Sequence, residues 1–461
     1  MSKEIHGDAS LSAPWRGAGA EGVRILIFGA GKSATCLIDY IIKEAALNNW
    51  YVTVVDSDLS LAQSKVGDHK HASAISINVE NTEERNNLIK TAAIVISLLP
   101  PTLHFLVAQD CVLFEKNLLT ASYTDDKIRS LQAAIEDKKL LFLCEMGLDP
   151  GIDHMSAMQL IHRIKDEGGI ITSFTSHCGG LVAPESDDNP WHYKISWNPR
   201  NVVMAGKAGA VYRQNNGIKK MGYENLFDEN RTTFIPDLGE LAWYPNRDSL
   251  DYIPVYGLDA VETFIRTTLR YPQFCAGWKN IIDLKLADDT IFYETDGLTL
   301  QAFFTQHFEQ TGFTYIIKKI NQHPGLFINQ LDWLGRTDDK TVINKGRCSA
   351  MDILQFALEK KLILNAHDKD MIVMLHEIEY LQSGKKYRVR SNLIVKGDDN
   401  LRTAMAKTVG LPPGIAAKLI LQGKIQETGL HIPVIPAIYE PVLQELQQHG
   451  IIFHEDTTEL T

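Results

Sequence analysis

From Arg24 to about Cys144, apolar runs alternate with amphipathic stretches at strand and helix periods. Ile25 to Phe28 runs into Gly29-Ala30-Gly31-Lys32-Ser33-Ala34, after which Leu37, Ile38, Ile41 and Ile42 recur at helical spacing before a second apolar run, Val52 to Val55. Further strands are predicted at Ala74 to Val79, Ala93 to Leu99, Asn117 to Ser122 and Leu140 to Cys144, with helices at Glu83 to Lys90, Leu103 to Phe114 and Asp126 to Asp137. Strands joined by helical crossovers predict a doubly wound parallel sheet, a Rossmann domain over residues 23–146, with its ligand at the carboxyl ends of the strands.

The pattern then changes. Glu145-Met146-Gly147-Leu148-Asp149-Pro150-Gly151 reads as a turn into a helix from Ile152 to Glu167, followed by a strand from Ile170 to about Cys178. Trp191 to Trp197 and the segments near Lys219 and Thr233 read as strands and loops of a second α/β unit, placed at 147–257 and 346–401. Val261, Phe264, Ile265, Thr268 and Leu269, then Phe303, Phe304, Ile316, Ile317 and Ile320, suggest a mainly helical insertion at 258–345. Cys348 to Glu359 is expected as a helix, and Asp370 to Tyr380 with Lys386 to Val395 as paired strands. Thr403 to Leu421 is expected as a helix interrupted at Gly410-Leu411-Pro412-Pro413-Gly414, and Pro441 to Gln448 as a last helix before Ile451 to His454.

Composition narrows the function. The 461 residues are 44% hydrophobic and 22% charged, with a formal net charge of -11, which argues against nucleic acid or an anionic membrane as partner. No apolar run is long enough for a transmembrane helix. Residues 1–22 read as a loose tail and not as a signal peptide. The six cysteines (36, 111, 144, 178, 275 and 348) form no C-x-x-C pair, so reduced thiols and a cytoplasmic setting are expected.

The glycine turn fits G-x-G-x-x-A. Gly29 permits the turn, Gly31 lets a pyrophosphate approach, and the helix opening at Lys32 and Ser33 offers unpaired N–H groups to that anion. Asp56, after the second strand, accepts from ribose hydroxyls and repels a 2′-phosphate, and Ser57 and Asp58 offer no cation, so NAD is expected over NADP. Asp149 reads either as an N-cap with Pro150 at the first helical position, or as a carboxylate at the reacting carbon. Arg247 and Arg270 are cations in apolar and aromatic settings, suited to structural ion pairs or to bidentate carboxylate binding. Tyr123 follows a strand end, where its phenol can donate to substrate or pack in the core, and Cys178 reads foremost as an inert buried thiol. His69-Lys70-His71 and His376-Glu377 lack complementary ligands, with Tyr380 where a zinc motif needs histidine, so no metal is assigned.

Long ordered stretches resemble the saccharopine reductase family, the glutamate-forming saccharopine dehydrogenases. They include VISLLPPTLH (95–104), TASY (120–123), EMGLDPGIDHM (145–155), SHCGGLVAPESDDNPWHYKISW (176–197), YPNRDS (244–249), IRTTLRYPQF (265–274), DKDMIVMLHE (368–377) and TAMAKTVGLPPGIAAKLILQGKI (403–425). The resemblance implies a Rossmann domain completed by about residues 402–461, a mixed α/β domain that binds substrate and forms a homodimer, and an inserted helical part. It also implies that Gly29, Gly31, Lys32 and Ser33 line the pyrophosphate, and Asn78, Val79 and Leu99 the adenosine side. Ala121, Ser122 and the turn Leu148, Asp149, Gly151, Asp153, His154 and Met155 would meet the nicotinamide half. Tyr123, Thr124, Arg247, Thr268, Leu269 and Arg270 would hold saccharopine, with Asp149 and Tyr123, then Cys178, as acid/base candidates. The implied activity is hydride transfer and imine hydrolysis between saccharopine and L-glutamate plus α-aminoadipate semialdehyde. Ser57 stands where the fungal biosynthetic enzymes have an Arg for the NADP phosphate. The alternatives are a related reductive condensing enzyme such as carboxynorspermidine synthase, whose cationic substrate needs carboxylates, and a catalytically silent NAD-binding sensor subunit.

Overall fold

The structure, a computed structural model, describes residues 22–315 and 325–460; nearly all of the expected tail, and Ile316, Ile317 and Ile320 of the expected insertion, lie outside the described residues. Seven parallel strands form the first sheet, in the order Gly429–His431, Leu141–Leu143, Asn117–Thr120, Ile94–Ser97, Arg24–Phe28, Tyr51–Asp56, Ala72–Ser76. Helices cover both faces, which is why its strands are apolar throughout: Ile25 and Ile27 join one core while Leu26 and Phe28 join the other. The pattern predicts this half well. Two differences are a helix Leu59–Val66, capped by Asp58 and absent from the periodicity, and a third strand that begins at Ala72, not Ala74.

Part of the segment expected to complete this domain, residues 402–461, joins it, but its last strand, His454–Leu460, pairs with Lys385–Lys396 in the second sheet. Gly429–His431 adds the seventh strand, and the helix Ala404–Leu421 lies along the helix Thr35–Asn48. That long helix is not interrupted at its Gly-Leu-Pro-Pro-Gly motif. The glycines serve close approach instead: a Cβ on Gly410 would lie 2.9 Å from Leu37 N, and one on Gly414 would lie 3.0 Å from the Tyr40 ring. Asp370, from the second sheet, accepts Ala404 N at 2.5 Å and Met405 N at 3.0 Å and so anchors the helix start.

The second sheet has ten strands. Its main path runs Thr232–Ile235, Gly239–Pro245, Thr263–Arg270, Ile170–Val182, Asp370–Gln382, Lys385–Lys396, His454–Leu460, and Ala210–Gln214, Gly217–Met221 and Arg247–Asp248 branch beside Thr263–Arg270. The main correction falls here, because residues 263–270 are a strand and not the start of a helical insertion. They are buried on both faces, which removes the alternation that marks a half-buried strand and leaves spacings that mimic a helix. Helices Pro272–Asp283, Leu300–Gln310, Leu326–Trp333 and Ala350–Lys361 pack on a separate core with Trp191, Tyr193 and Trp278. Trp191 to Trp197, expected partly as strand, is irregular apart from one bridge from Ile195 to Ile363. Among the described residues no helix is long and apolar enough to cross a membrane.

Candidate functional site

The glycine turn meets its expected geometry. Gly29 has φ +100°, and a Cβ there would lie 2.9 Å from Leu98 O on the neighbouring strand end, so only glycine fits. Above Gly31 no atom lies within 4 Å of where a Cβ would stand, and no side chain caps the helical turn Lys32–Ala34 that opens there. Open space facing uncapped N–H groups at a strand-to-helix turn fits a dinucleotide pyrophosphate. Asp56 is not the free carboxylate expected. Its Oδ2 accepts Ala30 N at 2.7 Å and its Oδ1 accepts Asp58 N at 3.0 Å, so it braces the turn, while Asp58 caps the next helix through Ser60 N and Leu61 N. Asn78 closes its own turn on Glu80 N, and the Val79 carbonyl accepts from Arg85. Ser122 is held by His104, whose ring bridges Ser97 Oγ and Ser122 Oγ at 2.8 Å each. Burial pushes His104 down to about 4, so it acts as a neutral tie between two strand ends on the ligand edge.

The Asp149 turn lies at the same edge. The helix it leads into starts at Ile152 with Gly151 at its N-cap, so Asp149 is not the cap. Its Oδ1 instead accepts Arg266 Nη2 at 2.5 Å and the Tyr123 hydroxyl at 3.1 Å, and Asp153 Oδ2 accepts Arg266 Nη2 at 2.7 Å. The Arg266 guanidinium also faces the rings of Tyr252 at 4.5 Å and Tyr123 at 5.8 Å. Two carboxylates and one guanidinium share this buried place. Burial raises Asp149 above its ordinary value against the pull of Arg266, whereas Asp153, despite burial, is held low by His154, Arg266 and the Gly151 N–H. The Tyr123 hydroxyl is pushed far up by burial and by Asp149, so it donates and does not ionise.

Arg247 and Arg270 lie in different settings. Arg247 is exposed, takes φ +53°, and lies 5.0 Å over the Tyr123 ring. Arg270 is 4% exposed, lies between the Tyr193 and Phe274 rings at 5.4 Å each, and donates Nη1 to Leu269 O at 2.8 Å; its buried Nε has no partner among the described residues. Neither has a carboxylate partner among the described residues, in contrast to Arg266. Cys178 pairs with Thr268 across the sheet and is 6% exposed; burial, then Asp149 and Asp153, hold its thiol well above the usual value. Thr124 donates its N–H to Glu145 Oε1 at 3.0 Å. Leu269 points to the opposite face of the sheet, into the cluster with Leu181, Leu241 and Met371, so its side chain does not join the others. Met155 and His154 are at 0% exposure beneath the turn, and Leu148 is buried. His376 is buried against Ser156 at 2.7 Å, and Glu377 pairs with His177 and Arg390. Arg266 is the residue that sequence reasoning missed. A period of two would have put it on one face with Thr268 and Arg270, but the strand was read as helix.

Fold and site define a Rossmann-domain protein whose ligand edge meets a second, mixed-sheet domain at an acid–guanidinium–phenol cluster. Residues 25–143 match a model described as the saccharopine dehydrogenase NADP binding domain, and residues 147–451 match the saccharopine dehydrogenase C-terminal domain. The chain belongs to the saccharopine dehydrogenase family. It is 33% identical over 94% of its length to the mitochondrial alpha-aminoadipic semialdehyde synthase of Bos taurus, covering 48% of that protein, so it spans about half the length of the animal relatives it matches. Against the L-glutamate-forming, NADP(+) saccharopine dehydrogenase of Saccharomyces cerevisiae it is 32% identical, covering 99% of that protein. The apo structure of the Saccharomyces cerevisiae L-Glu-forming enzyme superposes with a TM-score of 0.85 over 95% of this chain and all of that one, at 30% identity. A homospermidine synthase from Legionella pneumophila, at 10% identity and a TM-score of 0.55, shares the fold alone. The NADP-binding model and the NADP(+) fungal relatives overturn the expectation of NAD. That expectation rested on Asp56, whose carboxylate is taken up by the Ala30 and Asp58 amides and does not stand free to discriminate.

Proposed function

We propose that the protein is an NADP-linked oxidoreductase interconverting saccharopine with L-glutamate and α-aminoadipate semialdehyde. The observation that carries this reading is a pair of guanidinium groups without carboxylate partners among the described residues, Arg247 over the Tyr123 ring and Arg270 on the strand that carries Arg266. Saccharopine carries three carboxylates, so an acidic protein must hold it with fixed cations. Arg266 and Arg270 lie four positions apart on one strand, about 13 Å along it. Arg266 is neutralised by Asp149 and Asp153, which leaves Arg270 and Arg247 for the substrate.

Gly29, Gly31, Lys32 and Ser33 would hold the pyrophosphate, and Ala121, Ser122 and the turn at Leu148 the nicotinamide half. NADP⁺ held by these residues would supply the hydride acceptor for the carbon beside the secondary amine. Asp149, raised by burial, takes the amine proton and later returns one as water adds to the imine and the carbon–nitrogen bond breaks. Tyr123 orients Asp149 through its hydrogen bond, and Arg266 sets how readily that carboxylate ionises. Cys178, with its thiol held protonated, contributes shape. A homodimer formed by the mixed-sheet domain belongs to the same proposal, and light scattering would check it. The decisive experiment mixes the protein with saccharopine and NADP⁺, follows NADPH absorbance and identifies glutamate among the products. No turnover in either direction would reject the assignment.

A further inference from the structure

Glu145 and His154 bracket the turn that carries Asp149, and the proposed chemistry uses neither. They are buried at 1% and 0% exposure. Glu145 takes φ +57°, a left-handed conformation that a residue with a side chain holds only when its surroundings impose it. Its Oε2 accepts from His154 Nε2 at 2.9 Å and from the Tyr252 hydroxyl at 3.0 Å, and its Oε1 accepts from Thr124 N at 3.0 Å. The other ring nitrogen, His154 Nδ1, meets the Tyr256 hydroxyl at 2.6 Å.

Three pieces of chain converge on this pair. Thr124 follows the Rossmann strand Asn117–Thr120, residues 145 and 154 are the two ends of the turn, and Tyr252 and Tyr256 belong to the second domain. Tyr252 is the link to the reacting groups, since its ring lies 5.0 Å from that of His154 and 4.5 Å from the Arg266 guanidinium. An apolar contact would fill the same space without fixing direction. A buried carboxylate with three donors specifies one rotamer for each partner, because a missed bond leaves an unsatisfied polar group away from water.

We propose that Glu145 and His154 are positioning residues: a carboxylate–imidazole clasp that closes the base of the 146–153 turn and, through Tyr252, holds Arg266 and Asp149 in register across the two domains. The clasp rests on the reading of Asp149 as the proton-transfer group. The groups facing Asp149 are Arg266, Asp153, His154 and Tyr123, with Cys178 and Tyr256 behind them; of these, His154 and Arg266 are the two that favour its ionised form by charge.

Two variants test it, on the full-length protein. In Glu145→Gln, which keeps the shape, kcat for saccharopine oxidation falls about tenfold or more while the KM for NADP⁺ stays within about twofold, as expected when only the reacting groups lose register. Amide exchange of that variant without substrate quickens in residues 146–153 and not in the sheet strands. In His154→Gln the acid limb of the kcat profile moves to higher pH, because Asp149 loses a neighbour that favours its ionised form. A purely structural role would instead lower nucleotide affinity and thermal stability together and leave that limb in place, which overturns the proposal, as does unchanged kcat. If the wild type turns over no saccharopine, the functional reading fails and exchange decides the clasp: local quickening in Glu145→Gln supports it, and unchanged exchange overturns it.

Discussion

Removing Arg266 is the sharpest test of the site's electrostatics. Its guanidinium is 4% exposed and bonds Asp149 at 2.5 Å and Asp153 at 2.7 Å, so Arg266→Met keeps most of the volume and strands two buried carboxylates. Breaking a buried ion pair by removing one partner costs about 3–5 kcal/mol, against ~1 kcal/mol or less for a surface pair. At ~2–4 °C per kcal/mol for a domain of moderate size, the melting temperature falls by roughly 6–20 °C. The pH dependence has a definite sign. Without Arg266, burial raises Asp149 further above its unfolded value while Asp153 keeps the pull of His154 and the Gly151 N–H, so stability held where Asp149 is protonated is lost as pH rises through its folded value. The deficit against wild type is therefore larger near about pH 8 than near about pH 5. Scanning fluorimetry across that range measures it, and Asp149→Asn in the Arg266→Met background should recover part of the loss, because one stranded charge is gone. A deficit that is the same at every pH, or below ~1 kcal/mol, would refute the reasoning by showing that water screens the cluster.

Further outcomes follow from the same geometry. Asp149→Asn lowers turnover by about 10²-fold or more with folding intact, read by steady-state kinetics and circular dichroism; a loss below tenfold rejects proton transfer by that carboxyl. Gly151→Ala prevents the turn from forming, because at φ +146° its Cβ would lie 2.1 Å from Gly147 O, and soluble yield with nucleotide affinity reports it. All six cysteines are buried, so native protein resists iodoacetamide while denaturant exposes every thiol; rapid native labelling at Cys178 would contradict its raised thiol.

What the chain reveals before folding depends on how each element is buried. Much of Arg24 to Leu143 was readable because apolar strands alternate there with helices, and glycine or proline follows the first and fourth strands. The helix Leu59–Val66 escaped because only Ala62 and Val66 are buried on it. Thr263–Arg270 misled for the opposite reason: Phe264, Ile265 and Leu269 are buried on the two faces of a ten-stranded sheet, and local spacing does not register partners from residues 170–182. The same error concealed Arg266. Family motifs pointed to Asp149, Tyr123, Arg247 and Arg270, but they do not encode which guanidinium is already neutralised. That is settled by Asp153, on the far side of the turn.

The helix Ala404–Leu421 has a consequence for synthesis. Its glycines seat it against the helix that follows the phosphate-binding turn, and Gly429–His431 supplies the last strand of the same sheet. A ribosome therefore releases all of the mixed sheet but its last strand, His454–Leu460, before the nucleotide domain has its outer wall. Until then Leu37, Ile41 and Tyr40 lie open, so the nascent chain needs protection there, and nucleotide affinity is acquired only once residues 404–431 have emerged.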